Sequence, residues 1–203
     1  MTNRIFIAIN LPPEIKKELE GHQKQKAQEL GCFWKSKEQS LPVKWTKPEN
    51  IHLTLLFLGN IYEKDLRSVF ELVKEVSRRH KPFEIDLGQV IYAPPRARPP
   101  RMIWVLVRES GNLLRLKKDL DSGIKNTLPY IFTKEDREFL PHLTLARFKP
   151  AFYKEPGIKK IEETNKDTGQ NLNFKPGSVE VMESILKPRG PEYRILKSFP
   201  LGV

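Results

Sequence analysis

The chain has 203 residues with one cysteine, and its 36 basic and 25 acidic residues give a formal net charge of +11. This length can bury a substantial core, and a single cysteine excludes an internal disulfide. The longest apolar runs are far too short to span a bilayer and no secretory leader is recognisable, so we expect a cytoplasmic protein without membrane contact. So basic a charge favours an anionic partner such as nucleic acid.

The first part of the chain predicts three strands and two helices. The strands follow from apolar, β-branched runs, and the helices from prolines in a first turn or from apolar residues at helical spacing. We predict the strands at 4–9, 43–46 and 52–58, and the helices at 12–30 and 63–80. Gly59 and Asn60 are expected to end the third strand.

The second part predicts further strands around one more amphipathic helix. We predict strands at 83–92, 102–107 and 142–148, a helix at 111–127, and a closing hairpin of 179–186 with 193–199. Four prolines between residues 93 and 100 indicate a loop, and the polar, lysine-rich segment 149–172 indicates a longer one. Because strands outnumber helices and several are adjacent in sequence, we expect an α+β fold with antiparallel pairing.

The tetrapeptide His-Leu-Thr-Leu occurs twice, at 52–55 and at 142–145. The repeat uses two of only four histidines, and both copies lie in strand-like runs. One amphipathic helix pattern follows the first copy and another precedes the second. We therefore predict a diverged duplication, with residues 1–203 forming a single domain of two interwoven lobes.

Alternation along a strand separates the two residue types of this motif. His52 and Thr54 point to one face of the first strand and the leucines to the other, and the same holds for His142 and Thr144. If the lobes pack about a pseudo-twofold axis, the two His/Thr pairs face each other across a central cleft.

Such a cleft suits metal-independent displacement at phosphorus. Imidazole titrates near neutral pH, so one ring can act as general base while the other acts as general acid. Two threonine hydroxyls can donate to the phosphoryl oxygens, where charge builds. The alternatives are two structural histidines or a metal site, and the second lacks a nearby third ligand or an H-E-x-x-H motif. We expect no cofactor.

The similarity to one family extends well beyond the two tetrapeptides. The segments that carry it are RIFIAINLP at 4–12, WTKPENIHLTLLFLG at 45–59, PRMIW at 100–104, FLPHLTLAR at 139–147, and the hairpin with ESIL at 183–186, Gly190 and Tyr193. Together they resemble the 2H phosphoesterase superfamily, and most closely the RNA 2′,3′-cyclic phosphodiesterases, also called 2′-5′ RNA ligases. The segment 149–172 departs from the usual pattern of that family by its length and polarity.

The resemblance implies a bilobal fold of two antiparallel β-sheets, with helices outside and a cleft between them. It implies hydrolysis of a 2′,3′-cyclic phosphate at an RNA end to a 2′-phosphate, with His52 as proton donor and His142 as proton acceptor. Thr54 and Thr144 would hold the phosphate. The reverse reaction would join RNA ends 2′-5′ without ATP, and the sequence has no Walker A or K-x-D-G motif.

Other residues are candidates for substrate binding. Strict alternation places Arg147 on the leucine face, although a bulge or the end of the strand would return it to the cleft. There it would contact phosphate; the alternative is a surface or inter-strand salt bridge. Arg96, Arg98 and Arg101 lie in or beside the proline-rich loop and would hold RNA phosphates or remain solvated.

Two aromatic residues flank the first motif. Trp45 would stack on a base or pack into the core. Phe57 would likewise stack on a base or pack into the core, and we predict core packing because it shares the parity of Leu53 and Leu55.

The partner expected from these observations is RNA with a 2′,3′-cyclic phosphate end, bound by a monomer. Two alternatives remain open at this stage. The same fold would also serve a non-catalytic RNA-binding module, or a phosphodiesterase for a small cyclic phosphate or a 2′-5′ oligoadenylate.

Overall fold

The structure is a computed structural model that describes residues 2–30, 43–95, 97, 99–131, 139–149, 172–187 and 190–203. Nine strands and three α-helices occur in this part of the chain. They are β1 (Thr2–Asn10), α1 (Pro13–Glu29), β2 (Val43–Trp45), β3 (His52–Tyr62), α2 (Leu66–Arg79), β4 (Ile85–Ala93), β5 (Met102–Val107), α3 (Gly111–Thr127), β6 (His142–Phe148), β7 (Asn173–Phe174), β8 (Ser178–Lys187) and β9 (Gly190–Pro200). Most of the loop predicted at 149–172 lies outside the described residues.

The strands pair in the order β7-β4-β5-β6-β3-β1-β8-β9, and β2 also pairs with β6. All pairs among the described strands are antiparallel. One half of this order comprises β7, β4, β5 and β6, and the other comprises β3, β1, β8 and β9. The two halves, or lobes, meet where Leu53 of β3 pairs with Leu143 of β6. The predicted α+β architecture of two antiparallel lobes is therefore confirmed, and each lobe contributes one copy of the repeat to the boundary.

The helices cover the leucine side of this sheet. Leu53, Leu55, Leu143 and Leu145 belong to the main hydrophobic core. The helices α2 and α3 contact each other and bury one apolar face each into the same core. These faces comprise Val69, Val73 and Val76 of α2, and Leu113, Leu116, Leu120 and Ile124 of α3. Burial of an aliphatic side chain contributes about 1.5–3 kcal/mol, so the leucine face is fixed inward and the histidine face outward.

The strand β3 is longer and less regular than its sequence pattern indicates. The prediction that Gly59 ends it is wrong, because Gly59 adopts a φ of 73° within the strand, which continues to Tyr62. Along β1, Ile7 pairs with Leu56 while Ala8 pairs with Thr54, so Leu55 is an extra residue on the β3 side. Such a β-bulge reverses the alternation of the side chains that follow it, here as far as a second irregularity at Leu58, where Ile5 pairs with Gly59 and Phe6 with Phe57.

The strand β6 has a bulge at the same place in the repeat. Ile103 pairs with Ala146 and Trp104 with Thr144, which leaves Leu145 as the extra residue. Leu55 and Leu145, the extra residues of the two bulges, are both buried. Phe57 and Arg147, two positions further along their strands, are exposed. The two lobes thus share a local irregularity as well as a tetrapeptide.

The side chain of Gln23 forms a hydrogen bond with the bulge of β6 from the helix side of the sheet. Gln23 lies on α1 and is completely buried. Its Nε2 donates to the carbonyl of Leu145 at 2.8 Å and to that of Thr46 at 2.7 Å. The Leu145 carbonyl also accepts from the Thr46 amide at 2.8 Å. One buried amide therefore links the helix, the bulge and the segment that leads to the first motif.

We expect Gln23→Leu to lower the free energy of unfolding by about 1–3 kcal/mol, because two buried carbonyls lose a donor. Chemical denaturation measures the change. Gln25→Leu on the exposed side of the same helix is the matched control and should stay within about 0.5 kcal/mol of the parent. Equal effects of the two substitutions would show that the buried amide contributes nothing.

Candidate active site

Both His/Thr pairs line a single cavity between the lobes. The two repeats contribute His52, Thr54, His142 and Thr144 to its walls. The three further lining residues are Thr46, Asn50 and Tyr193. The structure therefore brings together the four residues that the alternation of the repeats places on one face. Residues 90 positions apart in sequence meet here because each belongs to the strand at the boundary of its lobe.

The pairing of Leu53 with Leu143 decides how the four side chains face one another. These leucines occupy equivalent positions of the repeat, and their strands run antiparallel. A local twofold axis therefore passes between them. Because the strands run in opposite directions, His52 lies opposite Thr144, and Thr54 lies opposite His142.

Both imidazole rings are oriented by the backbone in the same way. His52 Nδ1 lies 2.8 Å from the carbonyl oxygen of Asn50, and His142 Nδ1 lies 2.8 Å from that of Leu140. A carbonyl only accepts, so each Nδ1 carries the hydrogen and each Nε2 is left to exchange a proton. In each repeat the acceptor lies two residues before the histidine.

Burial keeps both rings neutral in the free protein. Burial lowers the pKa of His52 to about 4, and the hydrogen bond to the Asn50 carbonyl offsets part of this effect. The charges of Lys16 and Arg147 and the neighbouring His142 lower that pKa further. Burial also lowers the pKa of His142, and Arg147 acts in the same direction.

Aromatic neighbours hold the two rings differently. The His142 ring is stacked on Trp104, with centroids 3.6 Å apart and planes inclined by 17°. The His52 ring is nearly perpendicular to Tyr193, at 86°, and tilted by 34° to Phe6, with both centroids 5.0 Å away. Ala8 pairs with Thr54 at the position where Trp104 pairs with Thr144. The duplicated strands therefore give their histidines unlike surroundings.

Arg147 lies on the histidine side of β6, as the bulge at Leu145 requires. Its side chain is exposed, and Nη1 lies 2.9 Å from Met102 Sδ. Its charge lowers the pKa of both histidines and opposes the rise that burial causes in the pKa of Tyr193. No carboxylate among the described residues forms an ion pair with it. Its contact with a ligand stays a prediction.

Phe57 is the counterpart of Arg147, five residues after its own histidine. The prediction that Phe57 packs into the core is wrong, because 55% of its surface is exposed. The bulge at Leu55 turns it to the cleft side, where its ring centroid lies 5.6 Å from that of Phe6. The equivalent position thus carries an aromatic ring in one lobe and a cation in the other.

The remaining sequence candidates lie outside the cavity lining. Trp45 is half-buried on β2 and packs against the main core, which matches the core alternative more closely than base stacking. Arg101 is exposed and precedes β5, and its carbonyl accepts from the amide of Phe148 at 2.8 Å. Arg96 and Arg98 lie outside the described residues. Binding of RNA by these four residues remains a prediction.

Three cavity residues were not among the predicted site residues. Thr46 and Asn50 precede the first motif closely, and Asn50 Nδ2 donates to the carbonyl of Pro191 at 3.4 Å. Tyr193 comes from β9, and burial raises its pKa. Proximity to His52 in sequence could have indicated the first two. Tyr193 is placed only by the pairing of β9 with β8 and of β8 with β1.

Metal-binding clusters and membrane-spanning helices are both absent from the described ranges. No group of three or more His, Cys, Asp or Glu side chains is arranged there to hold a metal ion. No helix there is both long and apolar enough to cross a membrane.

Comparison with known proteins identifies the family. A family model described as LigT like Phosphoesterase matches residues 9–104. The RNA 2′,3′-cyclic phosphodiesterase of Archaeoglobus fulgidus is 30% identical over 201 residues, which cover 97% of this chain and 99% of the relative. The enzyme of the same name from Thermus thermophilus is 30% identical over 201 residues, covering 98% and 90%.

Solved structures show the same fold. The crystal structure of the Thermus thermophilus protein TT0787 superposes with a TM-score of 0.77 at 28% identity and covers 98% of both chains. E. coli LigT complexed with 3′-AMP superposes with a TM-score of 0.73 at 22% identity and covers 99% of both. On the strength of these relatives, which match it from end to end, the chain belongs to the LigT-like 2H phosphoesterases and is an enzyme of that family.

Proposed function

We propose that this enzyme hydrolyses the 2′,3′-cyclic phosphate at an RNA end to a 2′-phosphate, with His52 and His142 as acid and base. The observation that carries the proposal is the convergence of two His/Thr pairs, from duplicated strands, on one cavity. The relatives named RNA 2′,3′-cyclic phosphodiesterase support the choice of substrate.

The reaction needs one proton removed and one supplied. His142 Nε2 takes a proton from water as the water oxygen attacks phosphorus, and the bond from phosphorus to O3′ breaks. His52 Nε2 gives a proton to O3′, which leaves a 3′-hydroxyl and a 2′-phosphate. Thr54 and Thr144 donate to the non-bridging oxygens. The local twofold axis makes the two histidines near-equivalent, so this division of roles follows the family resemblance.

Protonation of the acid depends on the substrate. A ring with a pKa of about 4 is neutral at neutral pH and cannot donate the required proton. A phosphate anion in the cavity favours the charged ring and raises that pKa. Substrate binding therefore recruits the proton that His52 donates. The same machinery run in reverse, with a 5′-hydroxyl RNA end as nucleophile, would give 2′-5′ ligation without ATP.

The two sides of the cleft suit different parts of a nucleotide. The first lobe has the exposed ring of Phe57 and the half-buried ring of Tyr193 beside His52, and both pack against the buried ring of Phe6. The second lobe presents Arg147 beside His142. We assign the base to the aromatic side and the phosphate charge to the basic side.

We expect His52→Ala and His142→Ala each to abolish turnover of adenosine 2′,3′-cyclic phosphate almost completely, because each removes one of the two proton transfers. Phosphorus NMR follows the product and distinguishes the 2′- from the 3′-phosphate. Activity of the parent should persist in EDTA.

The matched control is His22→Ala on α1, which should leave turnover unchanged. Full activity of either cavity variant would disprove the two-histidine mechanism. Binding of cyclic-ended RNA without product by the parent would favour a non-catalytic RNA-binding module.

Titration of His52 tests the link between phosphate and proton. We expect its ring-proton NMR signals to show a midpoint near pH 4 in the free protein. Inorganic phosphate should move that midpoint upward by about one to three pH units, since a nearby anion favours the charged form. His22 should not respond. An unchanged midpoint for His52 with phosphate bound would contradict proton recruitment.

Replacement of the exposed aromatic ring tests the assignment of the base. Phe57→Ala should raise the KM for adenosine 2′,3′-cyclic phosphate, since loss of base stacking costs about 1–3 kcal/mol. Phe57→Trp should retain the parent value. Tyr62→Ala is a control on the same strand, where 53% of the side chain is exposed. Equal KM values for Phe57→Ala and the parent would place the base elsewhere.

A further inference from the structure

Two cations face each other across a strand pair on the cleft side of the second lobe. Lys44 on β2 pairs directly with Arg147 on β6. The neighbours of Lys44 fix its direction, because Val43 is buried in the main core and Trp45 packs against the same core. Lys44 therefore points to the opposite face, where Arg147 also lies, and both side chains are exposed.

This arrangement is electrostatically unfavourable in the free protein. Like charges directly opposite each other destabilise an antiparallel pair. Among the described side chains, neither cation forms an ion pair with a carboxylate. An anion between or beside the two side chains would remove the repulsion, so the pair is suited to bind one.

The amine of Lys44 extends toward the hairpin that borders the cavity. A Cβ atom at Gly190 would lie 2.3 Å from Lys44 Nζ, so the amine lies directly against the backbone of Gly190. The next residue, Pro191, accepts the hydrogen bond of Asn50, which lines the cavity. The ammonium group therefore lies near the cavity edge, between β2 and the start of β9.

We propose that Lys44, beside Arg147, forms a second phosphate subsite that binds the RNA phosphodiester on the 5′ side of the terminal nucleoside. The proposal rests on the proposed function, which places the cyclic phosphate between the histidines. Arg147 lies on the same strand as His142, and Lys44 lies on the adjacent strand β2. The subsite would make the enzyme prefer a polynucleotide end over a cyclic mononucleotide, which lacks that phosphodiester.

The test uses three substrates and two substitutions. The substrates are adenosine 2′,3′-cyclic phosphate, a diadenosine ending in the same cyclic phosphate, and that dinucleotide with an uncharged methylphosphonate linkage. The substitutions are Lys44→Met and, as a control with the same loss of charge, Lys74→Met on the outer helix α2. Lys44→Arg retains the charge and should retain the parent behaviour.

We expect Lys44→Met to lower kcat/KM for the charged dinucleotide by about fivefold, the size of an exposed ion pair. Turnover of the mononucleotide and of the methylphosphonate should stay within about twofold of the parent. The salt dependence of KM for the charged dinucleotide should fall by about 0.7 in logarithmic slope, as expected for one phosphate contact to a single strand. Lys74→Met should change none of these values.

Equal losses on all three substrates, or no loss on any, would overturn the subsite. Binding of the dinucleotide with a terminal 2′-phosphate, measured by calorimetry, tests the subsite without turnover. Unchanged affinity of Lys44→Met for this ligand would also overturn it. Failure of the parent to hydrolyse the cyclic-ended dinucleotide would instead refute the proposed function, and the binding measurement would still decide the subsite.

Discussion

The contact between Leu53 and Leu143 is the constraint on which the site depends. It joins equivalent residues of a duplicated strand, so it creates a local twofold axis at the boundary of the lobes. Both leucines are completely buried in the core, which leaves the histidines and threonines on the other face. A slip of one residue would exchange the two faces and place leucines in the cleft, so burial of the core and assembly of the cavity are the same requirement.

The paired bulges extend this arrangement and then break its symmetry. Leu55 and Leu145 each add one residue to a strand and reverse its alternation. The residue two positions later in each lobe thereby turns toward the cleft, with Phe57 on one side and Arg147 on the other. A duplicated scaffold thus presents an aromatic surface and a positive charge on opposite sides of one pair of histidines. Gln23 holds the second bulge in place from α1.

Electrostatics in the cleft favour an anion. The described cavity lining contains histidines, hydroxyls, an amide and a tyrosine, with cations nearby. Burial favours the neutral form of both rings in the free protein, and under the proposed mechanism the bound phosphate raises the pKa of His52. The formal charge of +11 extends the same preference to a polyanion. The cleft and the net charge of the chain therefore both favour an anionic ligand.

The sequence by itself determined the periodic elements and the faces of the repeat. The predicted spans 102–107, 111–127 and 142–148 match β5, α3 and β6 to the residue, and the leucines lie in the core as alternation requires. Only the tertiary structure decided the orientation of Phe57, the continuation of β3 through Gly59, and the entry of Tyr193 and Gln23. A bulge depends on which residue of a neighbouring strand is paired, and a buried amide on which carbonyl lies opposite. Both are contacts between distant segments, which local periodicity does not encode.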